Sequence, residues 1–404
     1  MSLRIHSGWL SASAFSGMFG FGIAMALLGS ILPLISVRLH FDLAHAGDLF
    51  LVLNATMLVG TFALGPLLDR FGIKLTFAIA PLFVAAALML IAQSSSFEAL
   101  RAAVVLLGVG GGALNQATNT LIADLHEDEW RKSSALNLLG VFFGIGALSV
   151  PFAIGALFPL LGLTNILKCA AVLVLFTTLI SMGLVFPAPR QSAGVPLAEV
   201  LRLARQPIIL VLAFLLFFES GNEWALGGFI TTHLTQSLGA TMSTASWILA
   251  LYWFALMCGR VVLSRLLLSI SGHSMILASA AGVAASLGLL VAAPSLGVAG
   301  VAISLLGFSL AAIYPTCLGL AGSRYASHSG TVFGILIGIS LTGGMSMPWL
   351  VGRVSESRGV AAGLSIPIAG AAAIFALQLL AGQMMRRTKR VDESSKRVVR
   401  DALR

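Results

Sequence analysis

The sequence predicts an all-α membrane protein of about twelve spanning helices, arranged as two pseudo-symmetric six-helix bundles with both termini cytoplasmic. Three observations predict it. Hydrophobic residues make up 58% of the 404-residue chain and charged residues only 10%, against roughly 25% charged in soluble domains, so most of the outer surface must face lipid. The apolar runs are long and continuous, near the roughly 20 residues that a spanning helix needs. A single long polar stretch divides them six and six.

The apolar segments lie near 10–37, 48–68, 74–92, 98–123, 135–158 and 164–186, then 207–235, 245–267, 274–293, 297–322, 330–352 and 360–384. Only helices or closed barrels satisfy the backbone in lipid, and runs this long are helices. The first segment, behind Arg4, superficially resembles a signal peptide, but it continues to about Val37 and suits a first span better. The dividing stretch, Pro187 to Gln206, contains Pro187, Pro189, Gly194 and Pro196, and its Leu197–Arg205 portion is expected to form a short amphipathic surface helix. The expected organisation is therefore a bundle over 1–186, a cytoplasmic loop over 187–206, a second bundle over 207–384 and a basic cytoplasmic tail over 385–404. Gly146, Pro151 and Gly155 recur as Gly343, Pro348 and Gly352, each displaced by 197 positions. That repeat supports two halves around a central cavity.

Charge sets the orientation. With the N-terminus inside, nineteen Lys and Arg fall on the cytoplasmic face and five on the other (Arg38, Arg101, Lys168, Arg353 and Arg358), as the positive-inside rule requires. The net charge of +9 does not point to nucleic acid, because the tail alone supplies eight Lys/Arg against Asp392, Glu393 and Asp401. Such a tail reads as a solvated segment beside anionic lipid. Cys169, Cys258 and Cys317 all lie in apolar runs and read as small packing residues, not as a disulfide or metal framework. No phosphate-binding glycine loop, metal cluster or nucleophile arrangement stands out, so neither an enzyme nor a cofactor is expected.

The loop after the second segment reads Gly65-Pro-Leu-Leu-Asp69-Arg70-Phe-Gly72-Ile-Lys74. It resembles the signature between helices two and three of the major facilitator superfamily. In the second half, Ser264-Arg265 stands at the matching place. Within that superfamily the chain is similar to the fucose-permease-like sugar:proton symporters. Gly108 to Asn119 in segment four, Leu136-Asn137, Tyr252-Trp253 with Gly259-Arg260, and Gly307 with Tyr314-Pro315-Thr316 carry the similarity. So does segment seven, where Gly221, Glu223 and Gly227 match the group's pattern, while Glu219 stands where the group has Tyr and Phe229 where it has Trp. The resemblance implies the major facilitator fold, transport by alternating access, and a membrane location that in a bacterium is the inner membrane.

Of fifteen acidic residues, only Glu219 and Glu223 fall near a segment's midpoint. A mid-membrane charge costs roughly 2.5–3.5 kcal/mol on insertion scales, and such residues face a cavity or a partner. At i and i+4 the two share one helix face. Two carboxylates so close in a low dielectric cannot both ionise cheaply, so at least one is expected to carry a proton. That makes Glu223 and Glu219 the proton-coupling candidates. The amides Asn115, Gln116, Asn119, Asn137 and Asn222 suit a hydroxyl-rich ligand, and Trp224, Trp253 and Tyr314 offer a flat wall for a ring. The alternative for each is helix–helix hydrogen bonding or core packing. Asp69, Arg70 and Arg260 are expected to serve a conformational gate, by ion pairs that form in one state and break in another. The function expected is proton-coupled uptake of a sugar-like solute by a monomer embedded in lipid. Efflux of drugs by proton antiport is the alternative, and a non-transporting solute sensor is a more distant one.

Overall fold

The computed structural model describes residues 2–71, 73–125, 129–186, 197–267, 269–325 and 328–402. Within these ranges, side chains are described outside 2–7, 62–71, 129–134, 137, 197, 329–330 and 387–402. The described residues form helices joined by short turns. In order they are α1 (Ser2–Leu39), α2 (Leu43–Phe71), α3 (Ile73–Gln93), α4 (Phe97–Leu125), α5 (Glu129–Met182), α6 (Leu197–Ala204) and α7 (Pro207–Leu238). There follow α8 (Met242–Leu266), α9 (Gly272–Val291), α10 (Leu296–Leu310), α11 (Ile313–Arg324), α12 (Ser329–Arg358), α13 (Val360–Leu364) and α14 (Ile366–Ala402).

Local chemistry sets the helix ends. The hydroxyls of Thr241, Ser271 and Ser295 accept from the backbone N–H three residues on, capping α8, α9 and α10. Pro207 opens α7, where its missing N–H is harmless, and Gly239 closes it at φ 65°. Asp42 caps α2, accepting from the His45 backbone at 2.8 Å and lying 2.7 Å from the His45 ring. Partial burial opposes the charge, but these His45 contacts hold the Asp42 carboxyl below its ordinary range. Pro315, two residues into α11, cannot donate to the turn before it, and α10 and α11 part at Ala311–Ala312.

Among the described residues, eleven helical stretches are long and apolar enough to cross a membrane. The longest, Leu138–Met182, turns at Gly162, whose φ of 67° and ψ of 167° lie outside any helix; its two limbs occupy the segments expected near 135–158 and 164–186. Gly359, between α12 and α13, has nearly the same conformation at φ 87°, ψ 156°. The two glycines stand 197 residues apart, the spacing of the sequence repeat. The expected surface helix is present as α6. Tail residues 386–402, expected as a solvated segment, continue the helix of α14; no Gly or Pro follows Gly382 to stop it.

Helices α1 to α5 pack on one another, as do α7 to α14, and the two sets meet mainly through α2 against α12, α5 against α8 and α1 against α7. Glycine permits the closest approaches. A β-carbon at Gly146 would lie 2.1 Å from the carbonyl oxygen of Phe19, and one at Gly343 1.9 Å from that of Phe217. These repeat-related glycines therefore seat α5 on α1 and α12 on α7 in the same way. Lipid removes most of the hydrophobic drive between helices, so such backbone approach carries much of the packing.

Gly343→Ala is expected to cost about 1–3 kcal/mol by overpacking and to lower the melting temperature of the detergent-purified protein. Gly334→Ala, where a β-carbon meets nothing within 4 Å, should leave it unchanged or higher; equal effects would show that α7 and α12 do not depend on this contact.

Candidate functional site

Mid-span, α7 is buried on all sides from Glu219 to Leu234. Glu219 is 1% exposed and Glu223 8%. Neither oxygen of Glu219 has a hydrogen-bond partner among the described residues. Glu223 opens on a cavity with room for about one water molecule, lined also by Met25, Phe50, Trp224, Gly227, Gly228 and Trp253. Four helices build it: α1, α2, α7 and α8. The absence of side chains at Gly227 and Gly228 makes the space, since a β-carbon at Gly228 would lie 2.6 Å from the Phe50 ring.

The aromatic wall extends beyond the cavity. Trp253 meets Phe143 of α5 edge-on at 6.2 Å, and Phe143 packs on Phe21 of α1 at 5.5 Å. The Trp253 indole N–H and the neighbouring Tyr252 hydroxyl are buried and lack a partner among the described residues. Arg260 is half-buried, with its guanidinium carbon 5.9 Å from the centre of the Phe143 ring. One end of the cavity is sealed by contacts between the two sets of helices. Thr231 donates to the Gly29 carbonyl at 2.5 Å, Gly47 lies against Trp349, and Arg353 pairs with Asp48 at 3.1 Å. Glu356 of α12 accepts from the first N–H of α2 at 2.9 Å.

The structure thus brings together Glu223, Trp224 and Trp253, with Glu219 one turn away. Other candidates lie elsewhere. Asn222 turns to α14 and donates to the Pro367 carbonyl at 3.1 Å. Asn119 donates to the backbone and side-chain oxygens of Asn115, at 2.8 and 3.0 Å, so these two amides of α4 are paired along their own helix. Gln116 beside them is half-buried. Tyr314 is half-buried on α11. The side chains of Asp69, Arg70 and Asn137 lie outside the described residues.

Asn54 is a residue that sequence reading missed. It is fully buried in α2, gives its amide to the Phe50 carbonyl at 3.0 Å, and leaves its oxygen without a partner among the described residues. The position of a β-carbon at Gly344 would be 3.1 Å from that oxygen and 2.8 Å from the Trp224 ring, which places Asn54 behind the cavity wall. An amide in the middle of an otherwise apolar segment was the available signal.

A bundle of membrane-spanning helices around a small, acid-bearing aromatic cavity defines a class of protein that carries small solutes across a bilayer. The Major Facilitator Superfamily model matches residues 14–345, and the chain belongs to that superfamily; it is a multi-pass membrane transporter and not an enzyme. A 4-hydroxybenzoate transporter of Pseudomonas aeruginosa is 28% identical over 171 residues, 42% of this chain and 37% of that one, so the chain spans little more than a third of this curated relative's length. Among solved structures, a point mutant of a nucleoside transporter aligns with a TM-score of 0.76 at 16% identity, over 94% of this chain and 99% of its own. A D-xylose–proton symporter aligns at 0.75 and 13% identity, over 93% and 97%. The fucose:proton symporter of E. coli aligns at 0.64 and 19%, over 92% and 98%. At such identities these similarities establish the fold.

Asn54→Leu is expected to raise the melting temperature, because it removes a buried unpaired acceptor worth about 1–3 kcal/mol, while weakening solute binding. Unchanged binding together with the gain would make Asn54 a packing residue only.

Proposed function

We propose that this protein is a secondary active transporter, taking up a small hydroxylated ring solute with a proton by alternating access between two six-helix bundles, 1–186 and 207–384. The observation that carries the reading is the pair of acids buried mid-span on α7, one of which opens on an aromatic-walled cavity. A protonated Glu223 can donate a hydrogen bond to a solute hydroxyl; ionised, it loses that donor and becomes costly to enclose. Binding and protonation are then linked, and each strengthens the other by the same factor. The sugar:proton symporters and the nucleoside transporter of like fold support a hydroxylated ring as the solute. Gly146 and Gly343, with Gly162 and Gly359, support the two-fold repeat.

In this reading the termini, the 187–206 loop and the tail are cytoplasmic, the protein works as a monomer in a bacterial inner membrane, and the proton gradient takes the place of any cofactor. Asp69 and Arg70 bias one conformation over the other. The seal of α1 on α7 and α2 on α12 closes the cavity on the side away from the termini, so transport requires it to part. Aromatic walls beside an acid also suit the lipophilic cation of a drug antiporter, but the guanidinium of Arg260 close by disfavours a cationic solute.

Glu223→Gln keeps the shape and donor of the neutral acid but cannot release a proton. In proteoliposomes it is expected to retain downhill counterflow and to lose accumulation driven by an imposed pH gradient; undiminished accumulation would remove Glu223 from coupling. A disulfide between Asp48→Cys and Arg353→Cys is expected to abolish transport until a reductant is added. Full transport by the cross-linked protein would show that this end need not open.

A further inference from the structure

Arg260 has no counterion among the described residues to match its place in the fold. It lies six residues before the end of α8, about 9 Å inside the helix. Its side chain does not run along its own helix toward water but crosses to α5. The guanidinium carbon rests near the Phe143 ring, and a β-carbon at Gly140 would sit 3.7 Å from Nη1. Its Nε is buried without a partner among the described residues, and it forms no ion pair with any of them. An intramembrane cation normally has a partner.

The nearest described acids are held apart from it. The contact of Gly227 with Trp253 fixes the register of the antiparallel helices α7 and α8, and counting from it places Arg260 level with Glu219 and about one turn from Glu223. Neither acid is within ion-pair distance, and Glu219 has no partner for either oxygen. A half-buried guanidinium and a buried carboxyl at one depth, neither bonded to the other, leave the guanidinium open to a third group.

We propose that Arg260 is the docking point for a carboxylate on the transported solute, so that the solute is a hydroxylated ring acid and not a neutral sugar. This rests on the proton-coupled uptake proposed above and names its substrate class. Trp253 and Arg260 are seven residues apart on one face of α8, about 10 Å along its axis. The ring lies against Trp253 and Phe143, and the carboxylate reaches Arg260 in a charge-assisted, bidentate contact that guanidinium geometry favours.

Charge balance then explains why a cation and two acids share this layer. Within electrostatic reach of the acids, the described ionisable groups are Arg260, Tyr252, Tyr314 and Cys317, and the last three are ordinarily neutral at physiological pH. Without solute, the guanidinium favours one ionised acid beside it. An arriving carboxylate takes over that role, the acid accepts a proton, and the loaded layer carries the same net charge as the empty one. The anion and the proton therefore cross together without the bundle having to enclose an added charge.

The test is a thermal-shift titration of the purified full chain with two matched pairs, glucuronate against glucose and 4-hydroxybenzoate against 4-hydroxybenzyl alcohol. At least one acid should stabilise the wild type at about ten- to a hundredfold lower concentration than its neutral partner. Arg260→Gln should erase that advantage and Arg260→Lys should restore part of it. The proposal is overturned if neither acid shifts the wild type, if a neutral partner does as well as its acid, or if Arg260→Gln leaves the advantage intact. It is also overturned if adding Glu219→Gln to Arg260→Gln restores acid binding, which would make the arginine a counterion of Glu219. Should Arg260→Gln not fold, the comparison within each pair on the wild type still decides. Proton coupling is judged separately by the Glu223→Gln accumulation assay, so a neutral solute would leave that reading standing.

Discussion

Backbone hydrogen bonding in lipid is the constraint on which the rest of this structure depends. Hydrocarbon offers no partner for a free N–H or C=O, so each crossing segment must be a helix that satisfies itself. The breaks that do occur sit where glycine or proline forces them: Gly162 in α5, Gly359 before α13, and the α10–α11 junction ahead of Pro315. Once the helices are self-sufficient, little hydrophobic force remains to bring them together, and association depends on close fit. Glycine at Gly22, Gly29, Gly146, Gly343 and Gly352 lets backbones approach to distances that any side chain would prevent.

Against that close-packed background, the central polar groups are costly. Glu219, Asn54, Tyr252, Trp253 and Arg260 each bury at least one polar atom that no described residue satisfies. A protein selected for stability alone would fill these positions with apolar residues of the same volume. They lie on α2, α7 and α8, in the part of the bundle around the small cavity at Glu223. Unsatisfied polar groups placed where the two sets of helices meet fit the proposed site, which solute and proton would complete.

Much of the fold was legible before any coordinates. The apolar segments, the short helix at 197–204 and the 197-residue repeat were all visible, because lipid exposure and helix length leave direct marks on composition. The acids of α7 were equally plain, since a charge in a 32-residue apolar helix stands out. Asn54 was not singled out: a single amide in an apolar run carries a weaker signal than an acid. The continuation of α14 through the tail was missed because solubility and helix formation are independent properties, and basic residues are good helix formers.

The sequence by itself determined the number of crossing segments, the membrane environment and the residues expensive enough to need a function, since each is a matter of local composition set against the cost of entering lipid. Tertiary structure alone decided which of those residues share a space. It joined Glu223, Trp224 and Trp253 at one cavity, turned Asn222 away to α14, and paired Asn115 with Asn119 along α4. It also sent Arg260 across to Phe143 instead of outward to the interface. These outcomes depend on the register and rotation of each helix against its neighbours, which glycine contacts between residues as distant as Phe19 and Gly146 or Gly29 and Gly227 determine, and no stretch of sequence read on its own contains that information.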